Sequence, residues 1–300
     1  GEPTGLKEMS KRNQYLAYLF LVLLSVIWGS SFILIKWGLE SLSSLQVGAI
    51  RILSASLFLS PIALFKLKKL NWQSGRLLLL IGMVGSLVPA FLFAIAQTEI
   101  QSSLTGVLNA LTPLFVIIMG ALFFNKQITK ATFLGIVTGF GGSVALILGS
   151  ANGGIGAVNA YALLVVLATI MYGINLNTIK YYLKNIDAIT ITSVSLLLVG
   201  PFAAAVLFST DFVSRISTNP EAIEGLLYIS ALGVVGTAIA LIIFNYMVKI
   251  TDPVFASSVT YIIPIVAIIW GVLDGESIFS VQYFGIILIL AGVWLANRSK

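Results

Sequence analysis

The stretch LAYLFLVLLSVIWGSSFILIK, residues 16–36, decides the fold class of this chain. Every residue in it except the last, Lys36, is uncharged. A helix needs roughly 20 mainly apolar residues to cross the hydrocarbon core of a bilayer, whereas a barrel strand needs only about 10 residues of alternating polarity. The continuous run therefore predicts a transmembrane helix. Because no small-residue cleavage site ends it, we interpret it as a retained helix rather than a signal peptide.

Nine further apolar runs follow, so the sequence predicts ten transmembrane helices. The ten runs cover residues 16–36, 45–65, 77–98, 102–124, 132–149, 155–179, 188–209, 225–248, 253–273 and 277–297. The composition agrees, because 58% of the residues are hydrophobic and only 9% are charged, against about 25% charged in soluble domains. Backbone groups in lipid must form their hydrogen bonds within the segment. We therefore expect an all-α integral membrane protein.

The basic residues are distributed unevenly between alternate loops. If the N-terminus is cytoplasmic, nearly all Lys and Arg residues lie on the cytoplasmic side. The outer loops then hold only Arg215, with Lys36 at the outer end of the first helix. Cytoplasmic loops of membrane proteins carry such an excess, so both termini are predicted to be cytoplasmic. The net charge of +6 then reflects topology, and we predict no nucleic-acid partner.

Residues recur at matched positions in the two halves of the chain. Trp28-Gly29 precedes Lys36 at the spacing at which Tyr172-Gly173 precedes Lys180. Further matched pairs, at offsets of 150 or 151, are Phe93 and Phe244, Pro113 and Pro264, Gly120 and Gly271, Gly135 and Gly285, and Gly142 and Gly292. Chance recurrence is the alternative, because Gly and apolar residues are common here, but the shared order favours an internal repeat.

The repeat divides the chain into two halves of five predicted helices each. We predict a cytoplasmic tail at 1–14, a first repeat at 15–149, a second repeat at 150–297 and a C-terminal tail at 298–300. Since five is an odd number, the second repeat must enter the membrane in the opposite orientation. Inverted repeats are typical of transporters that work by alternating access, with the substrate bound near the midplane between the halves.

Several short motifs together point to one family. They are Trp28-Gly29-Ser30-Ser31-Phe32, Arg51 early in the second helix, the Pro113 segment, and Gly275-Glu276 after the Pro264 segment. With these motifs the chain resembles the EamA-type branch of the drug/metabolite transporter superfamily over residues 16–297. The resemblance implies ten helices in two inverted repeats and transport of amino acids or similar metabolites, often as export. One departure is that Asn125-Lys126-Gln127 replaces the acidic turn expected after the fourth helix, so we assign that turn no coupling role.

Polar and aromatic side chains inside the predicted spans are the candidate substrate-binding residues. They are Trp28, Ser31, Arg51, Gln97, Asn109, Tyr172, Asn175, Asn245, Thr260 and Tyr261. Asn109 and Thr260 are equivalent in the repeat, so both are expected near the same central region. A buried arginine is costly and usually faces protein or water, so Arg51 either contacts a substrate carboxylate or clamps helices through backbone carbonyls or Glu40. For the other residues, hydrogen bonding between helices is the alternative to ligand contact.

Four residues are candidates for hinges or gates. Pro113 and Pro264 each remove a helix hydrogen bond and are expected to interrupt their helices. Their matched positions in the two halves favour a mechanical role. Lys36 and Lys180 lie at opposite ends of the bundle, where they either gate an anionic substrate or extend toward lipid headgroups.

The sequence favours a secondary transporter over other classes of membrane protein. No Walker A motif is present, so we predict no ATP-binding subunit. The absence of Cys and His argues against rhomboid-like proteolysis, thiol chemistry and zinc sites, and we predict no enzyme activity, cofactor or metal. The expected substrates are small metabolites, with aromatic or apolar amino acids as the first hypothesis. They would be carried across the inner membrane by a multi-pass protein that contacts lipid and is a monomer or homodimer. A channel-like facilitator and a carrier of nucleosides or other metabolites are the alternatives.

Overall fold

The computed structural model describes residues 11–148, 159–250 and 259–298, and within these ranges all regular secondary structure is helical. The long helices are α1 (Lys11–Leu39), α2 (Ser44–Leu67), α3 (Trp72–Ala96), α4 (Ser102–Phe124), α5 (Lys130–Leu148), α6 (Ala160–Tyr182), α7 (Ala188–Phe208), α8 (the consecutive segments Pro220–Ala231, Leu232–Ile239 and Ala240–Ile250), α9 (Val259–Leu273) and α10 (Ser280–Arg298). A short helix, Phe212–Thr218, precedes α8.

Seven of these helices, α1 to α4 and α6 to α8, are long and apolar enough to cross a membrane. The other three, α5, α9 and α10, are also apolar but are shorter in the part that could span. The all-α membrane fold is thus confirmed, while the count of ten spans and the cytoplasmic placement of the termini stay predictions. The N-terminal tail before residue 11, residues 149–158 and the start of the predicted ninth span at 253–258 lie outside the described residues.

Two of the helices that begin earlier than their apolar runs predict do so at a polar cap. α3 begins at Trp72, because the side chain of Asn71 accepts a hydrogen bond of 2.8 Å from the Ser74 backbone N–H. α8 begins at Pro220, because Asn219 accepts one of 3.0 Å from the Glu221 N–H. Both are ordinary N-caps, and they add a polar first turn that the hydrophobic run leaves out.

The predicted interruption at Pro113 is present. α4 is broken at Ala110 and Leu111, between the segments Ser102–Asn109 and Thr112–Phe124. Proline cannot donate to the carbonyl four residues earlier, and the Thr112 hydroxyl instead donates to that Asn109 carbonyl at 2.8 Å. At Pro264, by contrast, α9 continues from Val259 to Leu273, so the interruption predicted there is not seen in the described residues.

Each half contains a π-helical segment at the matching place. These segments are Met83–Leu87 in α3 and Leu232–Ile239 in α8. The sequence around them also matches, because Gly82, Gly85 and Ser86 in α3 correspond to Gly233, Gly236 and Thr237 in α8. π-helical turns are rare and occur frequently at functional sites, which draws attention to the residues packed against them.

Glycine contacts show that α5 and α10, the last helices of the two predicted repeats, pack closely against each other. A Cβ added at Gly135 of α5 would lie 2.6 Å from the Gly292 carbonyl oxygen of α10, and one at Gly142 would lie 2.6 Å from that of Gly285. Numbers rise along one helix as they fall along the other, so α5 and α10 run antiparallel with their backbones in contact. An inverted repeat requires this geometry, and the four glycines are the repeat-related positions that the sequence identified.

Candidate functional site

Two aromatic pairs lie between the halves of the bundle. The Trp28 and Phe244 rings have centroids 5.3 Å apart, and those of Phe93 and Tyr172 are stacked at 6.1 Å. The repeat relates Trp28 to Tyr172 and Phe93 to Phe244, so each pair joins one residue from each half. The pairs therefore form two related aromatic contacts between the halves, and Trp28 and Tyr172, two of the predicted binding residues, each belong to one of them.

Arg51 connects the first half to the π-helical segment of the second. Its Nε donates a hydrogen bond of 3.2 Å to the Thr237 hydroxyl, so Thr237, rather than Glu40 or a backbone carbonyl, takes this bond. The two Nη groups of Arg51 have no hydrogen-bond partner among the described residues. They remain available to an acceptor from a ligand.

The matched glycines of the two π-helical segments admit polar residues from the opposite half. The Trp28 indole N–H donates to the Gly236 carbonyl at 2.9 Å, and a Cβ at Gly236 would lie 3.4 Å from the Ser31 hydroxyl oxygen. A Cβ at Gly85 would lie 2.6 Å from the carboxamide of Asn175. Ser31 and Asn175 correspond at the offset of 144, so α1 meets α8 as α6 meets α3.

Several buried side-chain oxygens have no hydrogen-bond partner among the described residues. They include the carbonyl oxygens of Gln97, Asn109 and Asn175 and the hydroxyl of Ser193. The other end of the Gln97 carboxamide is fixed, because its Nε2 donates to the Phe32 carbonyl at 2.8 Å. Leaving a buried polar atom unpaired costs about 1–3 kcal/mol, so each of these oxygens could accept a hydrogen bond from a further donor.

The remaining predicted binding residues are Tyr261, Thr260 and Asn245. Tyr261 donates its hydroxyl to the Val293 carbonyl at 3.2 Å, which ties it to α10. Thr260 is half-buried in α9, and the side chain of Asn245 lies outside the described residues. Among the residues that the structure describes, no group of His, Cys, Asp or Glu side chains could hold a metal ion.

The two repeat-related lysines have different surroundings. Lys36 forms ion pairs of 2.6 Å with Asp274 and 3.2 Å with Glu276, instead of extending to headgroups. The Lys180 amine lies 5.4 Å from the centroid of the Tyr181 ring. Sequence reasoning found Lys36 but missed its partners, because Glu276 and Asp274 lie far away in the chain.

Glu276 also caps the first turn of α4. Its carboxylate accepts hydrogen bonds from the backbone N–H groups of Ser102 and Ser103, at 2.9 and 3.0 Å, and from their hydroxyls, at 2.7 and 2.5 Å. Burial by itself raises the pKa of Glu276, but the hydrogen bonds from Ser103 and Ser102 outweigh it and hold the pKa below its ordinary value. The carboxylate is therefore ionised at neutral pH.

Known proteins are similar to this chain in sequence and in fold. The sequence model of the EamA-like transporter family matches twice, over residues 15–148 and 159–298, which fits the two repeats. The inner membrane transporter YedA of Escherichia coli K12 is 25% identical over 291 residues, covering 93% of this chain and 90% of YedA. A transporter of Archaeoglobus fulgidus is 24% identical over 285 residues, covering 94% of this chain and 99% of that protein.

A solved crystal structure has the same fold, with a TM-score of 0.61 at 15% identity over 93% of this chain and 96% of the other. Together with the apolar helices, the relatives place the chain in the inner membrane as a multi-pass protein. Membership of a transporter family also agrees with the prediction that the chain is not an enzyme. The double match to the family model covers nearly all of the sequence, and the chain therefore belongs to the EamA-like transporter family.

Proposed function

We propose that this transporter carries amino acids by alternating access, and that Arg51 binds the substrate carboxylate. The observation that carries the proposal is the state of the Arg51 guanidinium. It is held between the halves by its Nε bond to Thr237, and both Nη groups are left without a partner among the described residues. A guanidinium fixed at one nitrogen presents its other N–H groups in the geometry that a carboxylate accepts.

The other groups of the site complement the rest of an amino acid. An ammonium group supplies three N–H donors and no acceptor, and the unpaired oxygens of Asn109 and Asn175 are acceptors. The aromatic pairs that include Trp28 and Tyr172 supply apolar surface for a side chain. This combination favours an aromatic or apolar amino acid over a polyanion, which needs several cationic groups, or over a multidrug cation, which needs a buried acid at the site.

Alternating access is supported by the way in which the halves are joined. The backbone contact of α5 with α10, together with the π-helical segments that receive residues from the opposite half, gives two related interfaces that exchange under the repeat. Rocking one half against the other would then expose the same central residues to either side in turn. A channel needs no such pair of related interfaces.

Counterflow in proteoliposomes tests the proposal. The lumen is loaded with one unlabelled amino acid at a time, and the uptake of labelled compound is followed. We expect saturable uptake that falls at least about 30-fold in kcat/KM for Arg51→Met, because truncating one partner of a buried charge pair costs roughly 2–5 kcal/mol. Thr237→Val, which removes only the group that positions Arg51, should raise KM about tenfold, as expected for the loss of about 1.5 kcal/mol.

Arg215→Gln is the matched control. Arg215 lies away from the central site, where it pairs with Asp211 at 3.1 Å, so its replacement removes an arginine without changing uptake. Full activity in Arg51→Met would contradict the assigned role of Arg51. If no amino acid supports counterflow in folded, inserted protein, the amino-acid assignment is wrong. Nucleosides or other metabolites then become the first alternatives, or a channel if flux does not saturate.

A further inference from the structure

The carboxylate of Glu276, which follows α9, forms hydrogen bonds with residues of α1 and of the start of α4. One oxygen accepts bonds from the Ser102 N–H, the Ser102 hydroxyl and the Lys36 amine, and the other accepts bonds from the Ser103 N–H and hydroxyl. These partners belong to α1 and to the start of α4, while Glu276 follows α9. The side chain is only 3% exposed, so the bonds form away from water. We call this set, together with Asp274, the Glu276 latch.

Local sequence places the carboxylate where it can reach these partners. Gly275 has a φ of +86°, a left-handed conformation that glycine adopts without strain, and it turns the chain back toward α9. A Cβ at Gly271 would collide with the Glu276 carboxylate and would lie 2.8 Å from the Ser103 Cβ. Only glycine at position 271 lets the latch close over the end of α9.

The opposite end of the bundle has the same turn without the acid. Asn125 adopts the left-handed conformation there, with a φ of 52°, and the Lys126 side chain comes within 3.4 Å of a Cβ built on Gly120. Gly120 and Gly271 are equivalent in the repeat, and Lys126 thus lies over Gly120 as Glu276 lies over Gly271. Lys180, the counterpart of Lys36, forms no ion pair with an acid in the described residues. Among the described residues, an acid therefore pairs with the lysine at the Lys36 end of the bundle, whereas no such pair is described for Lys180.

A solvent-facing cavity lies beside the latch. It has a volume of about 350 Å³ and is lined by residues that include Trp37, Glu40 and Tyr228. The Trp37 indole N–H donates to Asp274 at 3.0 Å, so this residue belongs to the wall of the cavity and contacts the latch. The latch thus lies between this cavity and the central residues below it in α1.

We propose that the Glu276 latch closes the transport pathway at the end of the bundle marked by Lys36, and that the pathway opens there only when these bonds break. Glu276 is then a gating residue, since it holds α1 to the α3–α4 hairpin and does not touch the substrate. The ion pairs of Lys36 and the hydrogen bonds from Ser102 and Ser103 to Glu276 stabilise the closed state at this end. The inference rests on alternating access and is independent of which substrate is carried.

The absence of cysteine from the chain makes a direct test possible. Ser31→Cys introduces the only thiol, five residues or about 7.5 Å along α1 from Lys36, at a position that is 5% exposed. A membrane-impermeant maleimide is applied to sealed vesicles from either side, and the rate of modification is measured in this background and after addition of Glu276→Gln or Lys36→Met. Lys66→Met, which breaks the 3.6 Å ion pair with Asp187 away from the latch, is the matched control.

We expect Glu276→Gln and Lys36→Met each to raise the rate at least tenfold, a change that corresponds to about 1.4 kcal/mol in the opening equilibrium. The increase should occur only for reagent added on the Lys36 side, and Lys66→Met should leave the rate unchanged. An unchanged rate in both latch variants, or an equal increase from both sides, would overturn the proposal. If Glu276→Gln does not fold, Lys36→Met decides alone, because Lys36 is 32% exposed and its removal leaves the α4 cap in place.

Labelling needs no substrate, so the two proposals fail separately. Faster labelling without counterflow of any amino acid would leave the latch standing and reject the substrate assignment. Saturable counterflow with unchanged labelling would support the substrate assignment and reject the latch.

Discussion

Two neighbouring glycines in α5 should respond in opposite directions to the same substitution. A Cβ at Gly142 would lie 2.6 Å from the Gly285 carbonyl oxygen and 2.7 Å from the Ile289 backbone nitrogen, whereas a Cβ at Gly141 meets nothing within 4 Å. These two nearest atoms belong to the backbone of α10, so they cannot rotate away as the end of a side chain would. Gly142→Ala must therefore push α5 and α10 apart, and Gly141→Ala need not move anything.

The size of the difference follows from two effects. Alanine is favoured over glycine inside a helix by about 0.5–1 kcal/mol, and this gain applies at both positions. Overpacking at a close contact costs roughly 1–3 kcal/mol, and it applies only to Gly142→Ala. We therefore expect Gly141→Ala to be more stable than the parent by about 0.5–1 kcal/mol, and Gly142→Ala to be less stable than Gly141→Ala by roughly 1–3 kcal/mol.

Reversible unfolding in mixed detergent micelles, followed by helix content, measures both free energies in one protein background. The two variants differ by one position and carry the same added methyl group, so effects of alanine on the micelle or on the unfolded chain cancel. Equal stability of the two variants would refute the backbone contact between α5 and α10. The inverted packing of the two halves would then lose its main support.

Two further predictions concern the latch and the packing of α6. The pKa of Asp274 is lowered from its ordinary 3.8, first by the hydrogen bond from Lys36, so its contribution to stability is fully present above 3.8 and is lost as pH falls through the lower folded-state value. The difference in melting temperature between the parent and Asp274→Asn should thus be constant near neutral pH and shrink only in strong acid, as thermal unfolding across a pH series would show. Asn177→Leu should lower the free energy of unfolding by about 1–3 kcal/mol, because Asn177 Nδ2 donates to the Val116 carbonyl of α4 at 2.9 Å. The similarly exposed Thr178→Val is the control, since its hydroxyl bonds only to the carbonyl of its own preceding turn.

The repeat could be predicted because its signals are local in the sequence. Gly135, Gly142, Gly285 and Gly292 recur at a fixed offset, and close helix contact requires small residues wherever the partner is. Helix starts were less predictable, because the caps at Asn71 and Asn219 are polar and lie outside the apolar runs. The π-helical segments were missed, although Gly82 and Gly85 recur as Gly233 and Gly236, since a repeated glycine spacing does not by itself indicate an extra residue in the turn.

The site was predicted as a set of residues but not as a set of contacts. Arg51 stands out in sequence because a charge inside an apolar run is costly. Its partner Thr237 does not, since a single threonine in a helix has no such cost. The role of Glu276 was beyond reach for the same reason, because Ser102 and Ser103 are 174 and 173 residues away and only the fold brings them together. A charged residue inside an apolar run can be recognised from the sequence, because its burial is costly. The neutral residues that stabilise it cannot be recognised in this way.

The helix packing is nearly symmetric between the two halves and the charged residues are not, and this difference bears on how the protein would change between its two access states. The scaffold is nearly symmetric, because α5 and α10, the aromatic pairs and the π-helical segments each exchange under the repeat. The charges are not symmetric. The backbone carbonyl of Arg51 contacts Gly233 as that of Ser195 contacts Gly82, so Arg51 and Ser195 occupy equivalent positions and only one of them is charged. Glu276 likewise has no acidic counterpart at Asn125-Lys126-Gln127. A symmetric scaffold keeps the two access states close in free energy, and an asymmetric charge can then both orient the substrate and set which state is lower, since a difference of about 1.4 kcal/mol already shifts the populations tenfold.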